Sequence, residues 1–326
     1  MTVSQLAKGI KAGKRRPLAK GITLVESSHP SDQEQAAQLL THLAEDRDTI
    51  RIGVSGVPGV GKSTFIEAFG NHLIAEGHRV AVLAVDPSSP TTGGSILGDK
   101  TRMETLSSRE EAFIRPSPTS GTLGGVAKRT RETMLLCEAG GYDVILVETV
   151  GVGQSEFEVS SMVDCFMMLM LPGAGDGLQG IKRGIMEITD VMVINKADGD
   201  QEKLALQAKS EYEHAFHFLQ TRLPDIPVRF HAVSALKNKG ITEVWSSILQ
   251  FIDALKQQGF FNEQRMSQNL SWFKRLAEDA LIEELWRGEH NREMAEQLKK
   301  GIINNEILPS VAAKKMVSII KKADSN

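Results

Sequence analysis

Gly56-Val57-Pro58-Gly59-Val60-Gly61-Lys62-Ser63 decides how the rest of this sequence is read. The apolar, β-branched run Ile50-Arg51-Ile52-Gly53-Val54 precedes it and the helix-like stretch Thr64-Phe65-Ile66-Glu67-Ala68-Phe69 follows. A glycine-rich loop between a strand and a helix builds a phosphate cradle. Loop N–H groups point inward, and the first helical turn, Ser63 and Thr64 included, adds unsatisfied donors and a positive dipole end. Lys62 supplies a cation for the β- and γ-phosphates, and Ser63 offers a hydroxyl to Mg²⁺.

Outward from the cradle, short apolar runs alternate with helical stretches between residues 50 and about 258. The strands expected are Ile50 to Ser55, Arg79 to Val85, Val144 to Val147, Val163 to Leu171, Val191 to Ile194 and Val228 to Val233. This is the pattern of an α/β P-loop NTPase, with a mostly parallel sheet covered by helices on both faces and its functional groups at the strands' C-terminal ends. Residues 1–46 read as an N-terminal helical extension, with Val3, Leu6 and Ile10 and then Ala36, Leu39, Leu40 and Leu43 at helical spacing, and Gly13 and Pro17 expected to interrupt it. Residues 47–258 form the nucleotide domain. Residues 259–326 form a C-terminal helical arm whose stripe of Met266, Leu270, Phe273, Ala277, Leu281 and Leu285 suits either packing on the parent domain or dimerisation.

The polar groups that end the strands carry the chemistry. Glu148 follows Val144-Ile145-Leu146-Val147, where a carboxylate beside the cradle holds Mg²⁺ directly or through water, and Gly151 is spaced to bring a backbone N–H to the γ-phosphate. Val152 stands where the Ras type places a water-orienting glutamine, so slow intrinsic hydrolysis is expected, with Gln154 two positions on. Asn195-Lys196-Ala197-Asp198 ends another strand. The Asp198 carboxylate accepts from two guanine N–H donors that adenine lacks, which selects GTP over ATP. Asn195 ties loops together, Lys196 covers the base with its stem, and Ser234-Ala235-Leu236 present a backbone N–H to the guanine oxygen. Three glycine-rich or polar loops read as mobile: Asp86 to Arg102, Arg115 to Gly125 and Pro172 to Gly184.

Composition narrows the partners. A formal net charge of −3 over 326 residues gives no global attraction to nucleic acid or anionic lipid. The basic cluster from Lys11 to Lys20 reads as a solvated helix face rather than a site for an acidic partner. The N-terminal charges Lys8, Lys11, Lys14, Arg15, Arg16 and Lys20, with no long apolar region after them, do not read as a secretory signal. The longest apolar run, Cys165 to Pro172, is too short to span a bilayer. The two cysteines, Cys137 and Cys165, sit in helix-like and strand-like segments and read as inert core residues of a cytoplasmic protein.

The whole chain resembles the methylmalonyl-CoA mutase-associated GTPases of the MeaB/ArgK type, once labelled kinases of a lysine/arginine/ornithine transport system. The resemblance rests on Gly56 to Ser63, Asp86-Pro87-Ser88-Ser89-Pro90, Gly98-Asp99-Lys100-Thr101-Arg102-Met103, Arg115-Pro116-Ser117-Pro118, Glu148 to Glu156 and Gly180-Ile181-Lys182-Arg183-Gly184. It implies a homodimeric GTPase that gates cofactor loading and protection of a cobalamin-dependent methylmalonyl-CoA mutase. Carried over by position, it places Asp86 and Asp99 with Ser63 and Glu148 around Mg²⁺ and the γ-phosphate, and makes Pro172 to Gly184 an extra switch. Two other functions fit the cradle: a protein kinase linked to amino-acid transport, with Ser117, Thr119, Ser120 and Thr122 in a phosphorylatable-looking loop, and a binding module whose nucleotide only stabilises a dimer.

Overall fold

A computed structural model of the chain describes residues 1–45, 47–85, 103–116, 123–149, 155–173, 183–219, 222–223, 225–286 and 288–323. The elements run α1 (Val3–Lys11), α2 (Arg15–Glu26), α3 (Pro30–Leu43), β1 (Ile50–Gly56), α4 (Lys62–Ala75), β2 (Val80–Val85), α5 (Glu104–Ser108), β3 (Ala112–Arg115) and α6 (Leu123–Ala139). They continue with β4 (Val144–Thr149), α7 (Ser155–Ser160), β5 (Cys165–Met170), α8 (Arg183–Glu187), β6 (Val191–Ile194), α9 (Glu202–Phe216), β7 (Arg229–Ala232) and α10 (Ile241–Gln257). Three helices close the sequence: α11 (Phe260–Trp286), α12 (Glu289–Ile303) and α13 (Pro309–Ala323).

The sheet has seven strands in the order β3-β2-β4-β1-β5-β6-β7, and every pairing is parallel. Parallel strands need crossovers, and the crossover helices bury both faces. On one face Ile52, Val54, Val144 and Leu146 pack with Phe65, Phe69 and Trp245 of α4 and α10. On the other, Ile145, Val147, Phe166 and Met168 share a core with Leu18, Ile22, Leu39 and Leu136. Each such side chain contributes ~1.5–3 kcal/mol when fully buried. The N-terminal helices thus build one wall of the sheet's own core, and residues 1–265 form one compact unit. Residues 266–326 form a second, in which α12 and α13 pack together.

Two local expectations are corrected. Pro17 does not interrupt a helix: it lies in the first turn of α2, where the backbone N–H has no intrahelical partner to lose. Gly13 alone makes the break, at φ 68°. The strand β3 falls where none was expected, because four residues bracketed by Glu110-Glu111 and Pro116 carry too short a pattern to read. Among the described residues it is an edge strand paired with β2, and Arg15 of α2 reaches across to donate to the carbonyls of Arg109 and Ala112.

Candidate functional site

β1 lies at the centre of the sheet and delivers the loop 57–61 to the N-terminus of α4. Gly56 is glycine for a steric reason: a Cβ there would come 2.7 Å from the Leu169 carbonyl oxygen of β5. Gly61 takes φ 87° to turn the chain into α4, a conformation open to glycine at little cost. Val60 turns inward and is 1% exposed, which anchors the loop in the core. Lys62 opens α4, and its Nζ donates to the Gly56 carbonyl at 2.9 Å, so its cation lies folded over the loop. Burial pushes the Lys62 pKa below the usual lysine range, and the charges of Glu148 and Glu156 oppose that shift. Ser63 is half-buried and Thr64 exposed in the same turn.

Glu148 is opposite Val54 in the β1–β4 register and shares the α4 face of the sheet with Val144 and Leu146, two residues apart along the strand. It is 6% exposed. Ser63 and Glu148 therefore end up on adjoining elements on the cradle side. Asp86, Asp99 and Gly151 lie outside the described residues, as do Val152, Gln154 and most of the three loops expected to be mobile.

Asn195 is where the base-side loops meet the cradle. Its Nδ2 donates to the Val60 carbonyl at 2.8 Å, and its Oδ1 accepts from the Ala235 N–H at 3.2 Å. One buried amide thus holds the loops after β1, β6 and β7 together, using both ends of its polar inventory. Lys196 adopts φ 62° and donates from Nζ to the Gly59 carbonyl at 2.7 Å, laying its stem across the site. Asp198 accepts a hydrogen bond from the Ser234 hydroxyl, which in turn accepts from the Lys237 N–H at 3.2 Å. Ser234 and Ala235 are buried, whereas Leu236 is 78% exposed.

The structure brings together Gly56 to Thr64, Glu148, Asn195, Lys196, Asp198 and Ser234 to Leu236. It also adds residues that sequence reading assigned no role. Glu156, in the first turn of α7, is fully buried with its charge felt at Lys62. The hydroxyls of Ser55 and Thr149 meet beneath the cradle. A carboxylate in the run Gln154-Ser155-Glu156-Phe157 was the only visible signal for the first. Nothing in the order of residues marks the second, since its members are 94 positions apart.

Comparison with known proteins identifies the family. The family described as methylmalonyl Co-A mutase-associated GTPase MeaB matches residues 18–290. The GTPase ArgK of Escherichia coli is 47% identical over 321 residues, covering 98% of this chain and 97% of that protein. The mouse mitochondrial methylmalonic aciduria type A homolog is 45% identical over 330 residues, covering 98% of this chain and 80% of its own length. A crystal structure of a LAO/AO transport system kinase superposes with a TM-score of 0.76 at 40% identity, covering 98% of this chain and 97% of the other.

Proposed function

This chain belongs to the MeaB family of methylmalonyl-CoA mutase-associated GTPases and is itself a P-loop GTPase; we propose that its nucleotide cycle makes it a chaperone of a cobalamin-dependent methylmalonyl-CoA mutase, gating cofactor loading and protection. The observation that carries the reading is Asn195, whose two hydrogen bonds join the phosphate cradle to both base-side loops. That linkage makes phosphate state and base recognition one mechanical unit.

In the proposed cycle Lys62 exchanges the Gly56 carbonyl for the β- and γ-phosphates, and Asp198 pairs with guanine while Lys196 covers its face. Ser63 and Glu148 are hard oxygen donors of the kind Mg²⁺ takes, with Asp86 and Asp99 expected beside them; the ion, when bound, neutralises phosphate charge. The cradle's donors stabilise the charge that develops during in-line attack of water on the γ-phosphate. With Val152 in the place of a glutamine, a partner that supplies the missing group would raise the rate by about 10³ to 10⁵ where such help is known. The chain acts as a homodimer in this reading, because the α11 stripe leaves Met266, Leu270, Phe273 and Leu281 between 57% and 70% exposed. In this reading the protein acts in the cytoplasm, a reducing compartment that suits its free, buried Cys137 and Cys165.

The test is turnover of γ-labelled GTP with and without the mutase, followed by capture of the mutase in GDP and GTP-analogue states. Lys62→Ala is expected to abolish hydrolysis, and label is expected on inorganic phosphate alone. Equal capture in both nucleotide states would refute the chaperone reading, and label on protein would instead favour a kinase.

A further inference from the structure

β1 and β4 are neighbours, yet their backbone ladder stops at Val54 opposite Glu148. On its other edge β1 stays paired with β5 two residues further, with Ser55 opposite Met168 and Gly56 opposite Leu169. At the next level a side-chain bond takes over: Thr149 Oγ1 donates to Ser55 Oγ at 2.8 Å, with neither residue exposed. Alternation puts this pair on the face of the sheet away from Glu148, with Ile145 and Val147, where α7 covers it. Ser155 and Glu156 of α7 are buried at that end as well. Four polar residues therefore lie sealed beneath the cradle in a position where packing alone would be served by apolar side chains.

We propose that Thr149 is a positioning residue for GTP hydrolysis, its hydroxyl pinning the root of the segment that leaves β4 for Gly151 to the strand that carries the phosphate cradle. A backbone N–H that must meet the γ-phosphate is useful only if its root is fixed relative to the phosphates, since freedom lost on reaching the transition state slows the reaction. Gly56 follows Ser55 directly, and Glu148 precedes Thr149 directly. The hydroxyl pair thus ties the strand that ends in the cradle directly to the last residue of β4. The inference rests on the reading of Glu148 to Gly151 as the γ-phosphate sensor.

Single-turnover hydrolysis, KM for GTP, GDP affinity and thermal stability of the full chain test it in Thr149→Val, Thr149→Ser, Ser55→Ala and the Ser55→Ala/Thr149→Val double variant. Thr149→Val is expected to lower kcat about fivefold with KM and GDP affinity within about twofold, and Thr149→Ser to recover most of the loss. The double variant removes both hydroxyls, so its melting temperature is expected to rise above that of the single variants while kcat stays low. Wild-type kcat in Thr149→Val, or a kcat that recovers with stability in the double variant, would overturn the proposal. Glu148→Gln separates the two readings. Inactive Glu148→Gln beside active Thr149→Val defeats only the positioning role, whereas wild-type turnover in Glu148→Gln defeats the sensor reading beneath it.

Discussion

The side-chain amide of Asn195 donates to the carbonyl of Val60, 135 residues earlier, at 2.8 Å, and both groups are closed off from water. Removing the amide strands the Val60 carbonyl and the Ala235 N–H together. Asn195→Ala is expected to cost ~1–3 kcal/mol of stability. It should also weaken GTP and GDP alike by roughly 10-fold or more, because both ligands need the three loops in register. Denaturant titration and calorimetric nucleotide binding check the two effects; unchanged affinity for both nucleotides would show that the loops hold their places without the amide.

Asp198 accepts from the Ser234 hydroxyl, which orients the carboxylate proposed to meet guanine. Replacement by asparagine exchanges an acceptor for a donor at the guanine edge. Asp198→Asn is expected to weaken GTP by about 10²-fold, as loss of charge-assisted hydrogen bonds implies, and to favour xanthosine triphosphate. Competition between the two nucleotides measures the shift, and an unaltered preference would disprove the base assignment.

Glu132 of α6 has its pKa pushed up to about 7, first by burial, with Lys128 and Arg129 acting in the opposite direction. A folded carboxyl that titrates above its unfolded value binds more protons than the unfolded chain in between, so its contribution to stability falls as pH rises from the ordinary carboxylate range to about 7. Glu132→Gln is therefore expected to stabilise the protein by ~1–3 kcal/mol at pH 8 and to leave it unchanged at pH 4. Urea denaturation at the two pH values reads the difference. A gain of equal size at both would assign it to something other than titration.

The α11 stripe supplies a test of assembly. Leu270 and Phe273 are 62% and 70% exposed and lie on one helical face with Met266 and Leu281. Leu270→Glu/Phe273→Glu is expected to yield monomers in light scattering while GDP affinity is retained, since neither residue belongs to the nucleotide site. A dimer that survives both charges would move the interface elsewhere.

Much of the site could be read locally. Ile50 to Ser63 is one strand, one loop and one helix turn, and its chemistry follows from residue types a few positions apart. Glu148 and Asn195 were legible because each interrupts an apolar run at the end of a strand, where a parallel sheet gathers its ligand-binding groups. β3 was not legible, because four residues on an edge carry too little alternation to separate them from a loop. Pro17 misled because a proline ends a helix in its interior yet fits its first turn. Arg265 gave no sign that its guanidinium would grip the buried carboxylate of Asp164 with two bonds of 2.8 Å.

Residue order was enough to recognise the cradle, the motif proposed to read guanine and the alternation of strand and helix, because each depends on backbone preferences and residue chemistry within one short segment. It took the folded sheet to show that Asn195 binds Val60, that Ser55 meets Thr149, and that Glu156 brings its charge to Lys62. Those encounters depend on strand order and register. In a parallel sheet neighbouring strands are joined through long crossovers, so the spacing of residues along the chain carries no record of which side chains finally face one another.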